Sequence, residues 1–192
     1  MSEWGLDAQS TAIVVIDLQK GIMGMPGEPH SATAVLANAV RLLEAGRAAG
    51  AQVVLVHVDF SEGWRDALQL PVDEPMRLSS PPADWAELLP ELNRQAGDVV
   101  IRKRQWGAFY GTELDLQLRR RGIKTLVMCG IATEAGVEST ARDGWERNYA
   151  LVFAEDAMTG RNGHAHSVAK IFPRLGRVRS TAEIVAALRA RD

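Results

Sequence analysis

Apolar and polar positions along the chain switch repeatedly between two periods. Continuous β-branched and apolar runs occur at Thr11 to Ile16, Val53 to Val58, Val99 to Arg102, Thr125 to Cys129 and Ala150 to Ala154, with a shorter one around Arg177 to Arg179. Runs without polar alternation are what strands show when both faces of a parallel sheet are covered. Between them the spacing lengthens to that of helices. Ala32 to Ala49 carries Val35, Leu36, Ala39, Val40 and Leu43 on one face and is closed by Gly50. Further helices are expected from Thr112 to Arg121, from Gly136 onward, from about Gly163 to Leu175, and from Thr181 to Arg189. The helix from Gly136 has Val137, Ala141 and Trp145 as its expected buried stripe, with Glu138, Arg142 and Glu146 outside. Alternation of this kind predicts an α/β fold with right-handed connections and a mostly parallel sheet.

Two stretches interrupt the alternation. Gly21 to Ser31 reads as a loop. Ser61 to Asp98 is long, holds Pro71, Pro75, Pro81, Pro82 and Pro90, and sets Trp64 and Trp85 in polar surroundings. It reads either as a surface connection with one short helix around Asp84 to Asn93 or, the preferred reading, as a segment that closes over the pocket and contributes to an oligomer interface.

Composition narrows the classes. A chain of 192 residues with 46% hydrophobic content is expected to form one domain spanning 1–192. A formal charge of −2 with both signs interspersed gives no footprint for nucleic acid or an anionic membrane, so the expected partner is a small molecule. The lone cysteine allows no intrachain disulfide. Met1 to Ala8 lacks a basic segment followed by a long apolar one, and no apolar run reaches the roughly 20 residues that span a bilayer, so a cytoplasmic location is expected.

Candidate chemistry sits at strand ends. Asp17 follows the first strand, where open α/β sheets bind ligands, although by itself it reads more readily as a loop or capping carboxylate. Lys103 ends the third strand, a poor place for a core residue, so its ammonium is expected in a cleft or in solvent. Leu126 to Tyr149 reads as strand, tight turn and helix start, and the unpaired N–H groups of a helix start favour an oxyanion or carboxylate. Gly136 lets a ligand approach that backbone closely. Trp106 is the expected aromatic wall of the pocket, while Phe109 fits core packing as well. Cys129 ends an apolar strand and reads as core. His57 reads as a strand-end histidine, and His164 and His166 as helix-surface or helix-start residues. No metal is expected, because catalytic zinc normally takes three protein ligands and none are spaced for it. The absence of a glycine-rich fingerprint after the first strand removes the dinucleotide case, and no cofactor is expected.

Ile13 to Gln19 (IVVIDLQ), Lys103 to Phe109 (KRQWGAF) and Leu126 to Tyr149, in that order, resemble the signature stretches of the isochorismatase-like cysteine hydrolases, over essentially the whole chain. The resemblance implies a three-layer α/β/α sandwich with a six-stranded Rossmann-like sheet, a non-proline cis peptide at Ile131-Ala132, and a homo-oligomer of two or more chains. It implies catalytic positions at Asp17, Lys103 and Gly136, and substrate contacts from Gln19, Trp106, Ile131, Ala132, Thr133 and Ala135. Most of that family carries a nucleophilic Cys where Gly136 stands, so this chain matches the isochorismatase branch, in which the thiol is gone. The metal-binding Asp-x-His of related nicotinamidases is absent, since Asp59 is followed by Phe60 and Ser61.

A carboxyl, an ammonium and helix-start amides suffice for acid-assisted hydrolysis of a vinyl ether in a small carboxylated substrate. Gln105 stands where true isochorismatases often have Arg, which leaves open a ligand-binding member without catalysis. An amidase-like hydrolase using a water nucleophile stays open as well.

Overall fold

The computed structural model describes residues 5–75 and 81–189. Six strands, β1 (Thr11–Ile16), β2 (Gln52–Val58), β3 (Val99–Lys103), β4 (Thr125–Ile131), β5 (Ala150–Thr159) and β6 (Arg177–Arg179), form one all-parallel sheet in the order β3-β2-β1-β4-β5-β6. That is the doubly wound order, with the first strand at the point where the winding reverses.

Strand geometry sends alternate side chains to opposite faces, and β1 is buried throughout because both faces are covered. Ile13, Val15, Val53, Leu55, Val127 and Cys129 pack on one side with α2 (Ala32–Ala49) and α7 (Thr181–Arg189). Ala12, Val14, Val54, Val56, Leu126 and Met128 pack on the other with α3 (Leu114–Arg120), α4 (Glu138–Glu146) and α6 (Phe172–Leu175). On that second face Phe153 and Phe172 stack with ring centres 4.0 Å apart. The helix α2 spans the expected residues; Ser31 Oγ accepts from Ala34 N at its start, and Gly50 at φ 83° ends it.

Several expectations are corrected. The supposed loop from Gly21 lies partly in a short helix, α1 (Lys20–Met23). No α-helix forms between Asp84 and Asn93, only a single 3-10 turn, Pro90–Leu92, because Asn93 turns left-handed at φ 45° and Pro90 brings no N–H. The stripe on α4 excludes Trp145, which is 52% exposed, and includes Gly144, packed against Phe109, Leu126 and Leu151. Seven residues beyond Val137 a helix has nearly completed two turns, whereas eight overshoot by about 80°. The helix expected from Gly163 to Leu175 is interrupted by a π-helical stretch, Ser167–Ile171, between α5 (His164–His166) and α6. Strand β5 runs five residues past Ala154, with a bulge: Met128 pairs with Phe153, but the next pair is Gly130 with Met158.

The long connection after β2 is more ordered than its composition suggests. Residues 85–89 run beside Leu18 to Gly21: Gly21 N donates to Trp85 O, Lys20 N to Glu87 O, and Leu89 N to Leu18 O. Phe60, Trp64 and Trp85, far from lying in polar surroundings, form an aromatic cluster with ring centres 5.0 to 6.2 Å apart.

Candidate active site

Strand β1 ends at Asp17, whose φ of 52° turns the chain out of the sheet while its N–H still bonds Val56 O. Lys103 closes β3, two strands away, and its side chain crosses the end of β2. Its Nζ donates to Asp17 Oδ2 at 2.7 Å and to Gln105 O at 3.1 Å. Both residues are almost fully buried, 5% and 2% exposed. Beyond β4, a π-helical turn (Thr133–Val137) leads into α4 and brings Gly136 beside the pair. A Cβ on Gly136 would stand 3.1 Å from Asp17 Oδ2 and 3.6 Å from Lys103 Nζ. Three positions separated by 86 and 33 residues therefore meet at one edge of the sheet.

The helical path starts at Thr133 rather than at Gly136, yet Gly136 is still within its first four residues, where a helix start leaves N–H groups without intrahelical acceptors, although Ala135 N is already taken by Ala132 O. The turn is reached through a cis peptide at Ile131-Ala132, and Gly130 at φ 121° packs so tightly on Ile16 that a Cβ would fall 2.0 Å from Ile16 O.

Burial pushes the Asp17 carboxyl up to about 6, against the opposing pull of the Lys103 ammonium. Its other oxygen, Oδ1, is buried and has no hydrogen-bond partner among the described residues. A carboxyl so placed exchanges a proton near neutral pH, with a fixed cation alongside.

The remaining expected site residues divide. Ile131, Ala132 and Ala135 line the turn beside Gly136, Ile131 buried and the two alanines half-buried. Gln19 is adjacent but fully buried, and its amide is engaged: Nε2 donates to Val58 O and Trp85 O, and Oε1 accepts from Val58 N. It clamps the end of β2 to the 85–89 segment. Thr133 is likewise buried, with Oγ1 2.9 Å from His164 Nδ1. Trp106 stands 60% exposed, a surface side chain and not the wall of an enclosed pocket. Cys129 is core, its thiol pushed up to about 12 by burial.

His164 is a helix-start residue, as one of the two readings has it, but a buried one: it is 4% exposed and shares Glu155 with His30. No sequence spacing signals this trio, because its members come from a loop, a bulge and a helix start.

A protein-family model described as the isochorismatase domain matches residues 11–183. The chain belongs to the isochorismatase family of hydrolases. Among relatives in that family, YecD of Escherichia coli O157:H7 is 49% identical over 185 residues, covering 95% of this chain and 98% of its own. RutB of Pantoea ananatis, a ureidoacrylate amidohydrolase, is 37% identical over 180 residues, covering 80% of this chain and 70% of its own. The solved structure of an isochorismatase family protein from Burkholderia thailandensis superposes with a TM-score of 0.91 at 41% identity, covering 95% and 97% of the two chains. The six-stranded α/β architecture expected from the resemblance is the fold observed. No helix among the described residues is long and apolar enough to cross a membrane.

Proposed function

We propose that this isochorismatase-family hydrolase acts on a small carboxylated substrate by acid-assisted cleavage of a vinyl ether, with Asp17 as the acid and no side-chain nucleophile. The carrying observation is a buried carboxyl, raised to about 6, lying against a residue that offers no attacking atom. Protonated Asp17 delivers its proton to the enol-ether carbon. Water adds to the resulting oxocarbenium carbon, the hemiketal opens to a ketone and an alcohol, and the proton lost from the added water returns to Asp17. Lys103 and the first N–H groups of the turn supply positive potential for the substrate's carboxylate.

A second reading is favoured by the likeness to RutB: Asp17, ionised, takes a proton from water that attacks an amide or ureido carbonyl. The two readings predict opposite pH dependence. In the acid reading kcat falls as pH rises through about 6; in the base reading it falls as pH drops through about 6. A panel containing isochorismate, other carboxylated enol ethers and ureido amides, run on wild type and Asp17→Asn across that range, separates them. No turnover above Asp17→Asn on any substrate would leave a ligand-binding member without catalysis.

A further inference from the structure

Outside the proposed catalytic pair, one group of side chains is arranged with no part in it. Glu155 Oε1 lies 2.8 Å from His30 Nε2 and 3.2 Å from His164 Nε2, and ligand atoms of all three residues lie within 4.8 Å of one another. We propose that His30, Glu155 and His164 form a binding site for a divalent transition-metal ion of the zinc type.

Two imidazoles and a carboxylate are a donor set suited to zinc and its neighbours in the first row, and too nitrogen-rich for magnesium or calcium. Around a tetrahedral ion with bonds of about 2.0–2.1 Å, ligand atoms stand about 3.3 Å apart. The His164–Glu155 separation of 3.2 Å is close to that, and the His30–Glu155 separation of 2.8 Å, now a hydrogen-bond distance, would open by about half an ångström to admit an ion. The ligands also come from three independently anchored places, so the set is held before any ion arrives. His30 sits in a segment fastened to the end of β5 by Glu28 N to Gly160 O and Gly160 N to Glu28 O. Glu155 projects from the β5 bulge, where its neighbours are occupied elsewhere: Ala154 and Ala157 are core, and Asp156 Oδ1 accepts from Thr181 N and Oγ1 at the start of α7. His164 opens α5.

The outer contact has the expected form. Ligating histidines generally hold the second ring nitrogen to a hydrogen-bonding group that sets the ring's orientation. His164 does so through Nδ1 to Thr133 Oγ1 at 2.9 Å, which leaves Nε2 turned toward Glu155. His164 is nearly closed off, at 5% side-chain exposure, whereas His30 and Glu155 remain 28% and 33% exposed. The site is thus rooted in the protein and open on one side, giving an ion both a route in and a position for water. Because Thr133 begins the turn that carries Gly136, an ion here ties the segment holding His30 and the β5 bulge to the backbone of the candidate active site.

The test uses the full chain, stripped with a chelator and titrated with Co²⁺ for its visible d–d bands, then with Zn²⁺ by calorimetry. Wild type is expected to bind one ion per chain and to melt at a higher temperature when loaded. His30→Ala and Glu155→Gln, chosen because both residues are partly exposed, should weaken binding by at least the roughly 10- to 100-fold that loss of a supporting contact alone can cost. Thr133→Val should fall within that range. His57→Ala and His166→Ala should bind as wild type. Folded wild type that takes up neither ion stoichiometrically overturns the site, as does undiminished binding by the His30→Ala, Glu155→Gln double variant. The readout needs no turnover, so it is independent of the hydrolase reading.

Discussion

Asp17 is where the proposed chemistry and the stability of this protein pull against each other. Its folded-state pKa, about 6, lies above the ordinary 3.8, so the folded protein holds a proton that the unfolded chain has released. The contribution of this group to stability is therefore fully present below pH 4 and is lost as pH rises through about 6. Urea unfolding of wild type should show that decline between pH 4 and 6, and Asp17→Asn should flatten it. Lys103→Ala removes the cation 2.7 Å away, so the buried carboxyl should titrate higher still and take up a proton, with loss of turnover. At Gly136 even a methyl group meets Ile16 Cγ2 at 2.9 Å and Asp17 Oδ2 at 3.1 Å. Gly136→Ala should lower stability by about 1–3 kcal/mol and depress kcat by displacing the carboxyl. Cys129→Ala, in contrast, touches only core and should leave kcat near the wild-type value.

At the scale of elements, the site depends on contacts that hold its strand ends in place. The Gln19 amide satisfies Val58 N, Val58 O and Trp85 O from inside the protein. Gln19→Ala removes the partner of these half-buried groups, and should lower stability and speed hydrogen exchange at Lys20, Gly21 and Leu89, whose N–H groups bond across to the 85–89 segment or back from it. Phe172 stacks on Phe153 in the second layer, away from Asp17. Phe172→Ala should cost about 3–5 kcal/mol in unfolding free energy with kcat little changed. A change that lowers activity without that stability loss, as at Asp17, and one that does the reverse, as at Phe172, separate chemistry from scaffold.

Across the whole molecule, β1 supplies alternate side chains to both apolar layers, so neither layer has a sheet face of its own to retain if the other is lost. Unfolding by urea followed by tryptophan fluorescence and by far-ultraviolet circular dichroism should give coincident transitions, the behaviour expected if 1–192 is one domain. The order β3-β2-β1-β4-β5-β6 also explains why the site lies where it does: Asp17, Lys103 and the turn carrying Gly136 all follow carboxyl ends of parallel strands, on the same edge.

Local pattern determined most of this protein's architecture. Strand and helix positions follow from apolar periodicity, which each segment carries within its own residues, and the meeting of Asp17, Lys103 and Gly136 follows from strand ends once the sheet is parallel. Tertiary structure alone decided the rest, because the deciding contacts join distant segments. It turned Gln19 and Thr133 inward, left Trp106 and Trp145 at the surface, gathered Phe60, Trp64 and Trp85, and set His30 and His164 on Glu155. Apart from Trp145, whose outward position follows from the 3.6-residue turn, none of these leaves a periodic trace. Burial likewise, summed over neighbours from many elements, raised the Asp17 carboxyl in spite of Lys103, a balance between desolvation and charge that exists only in the folded chain.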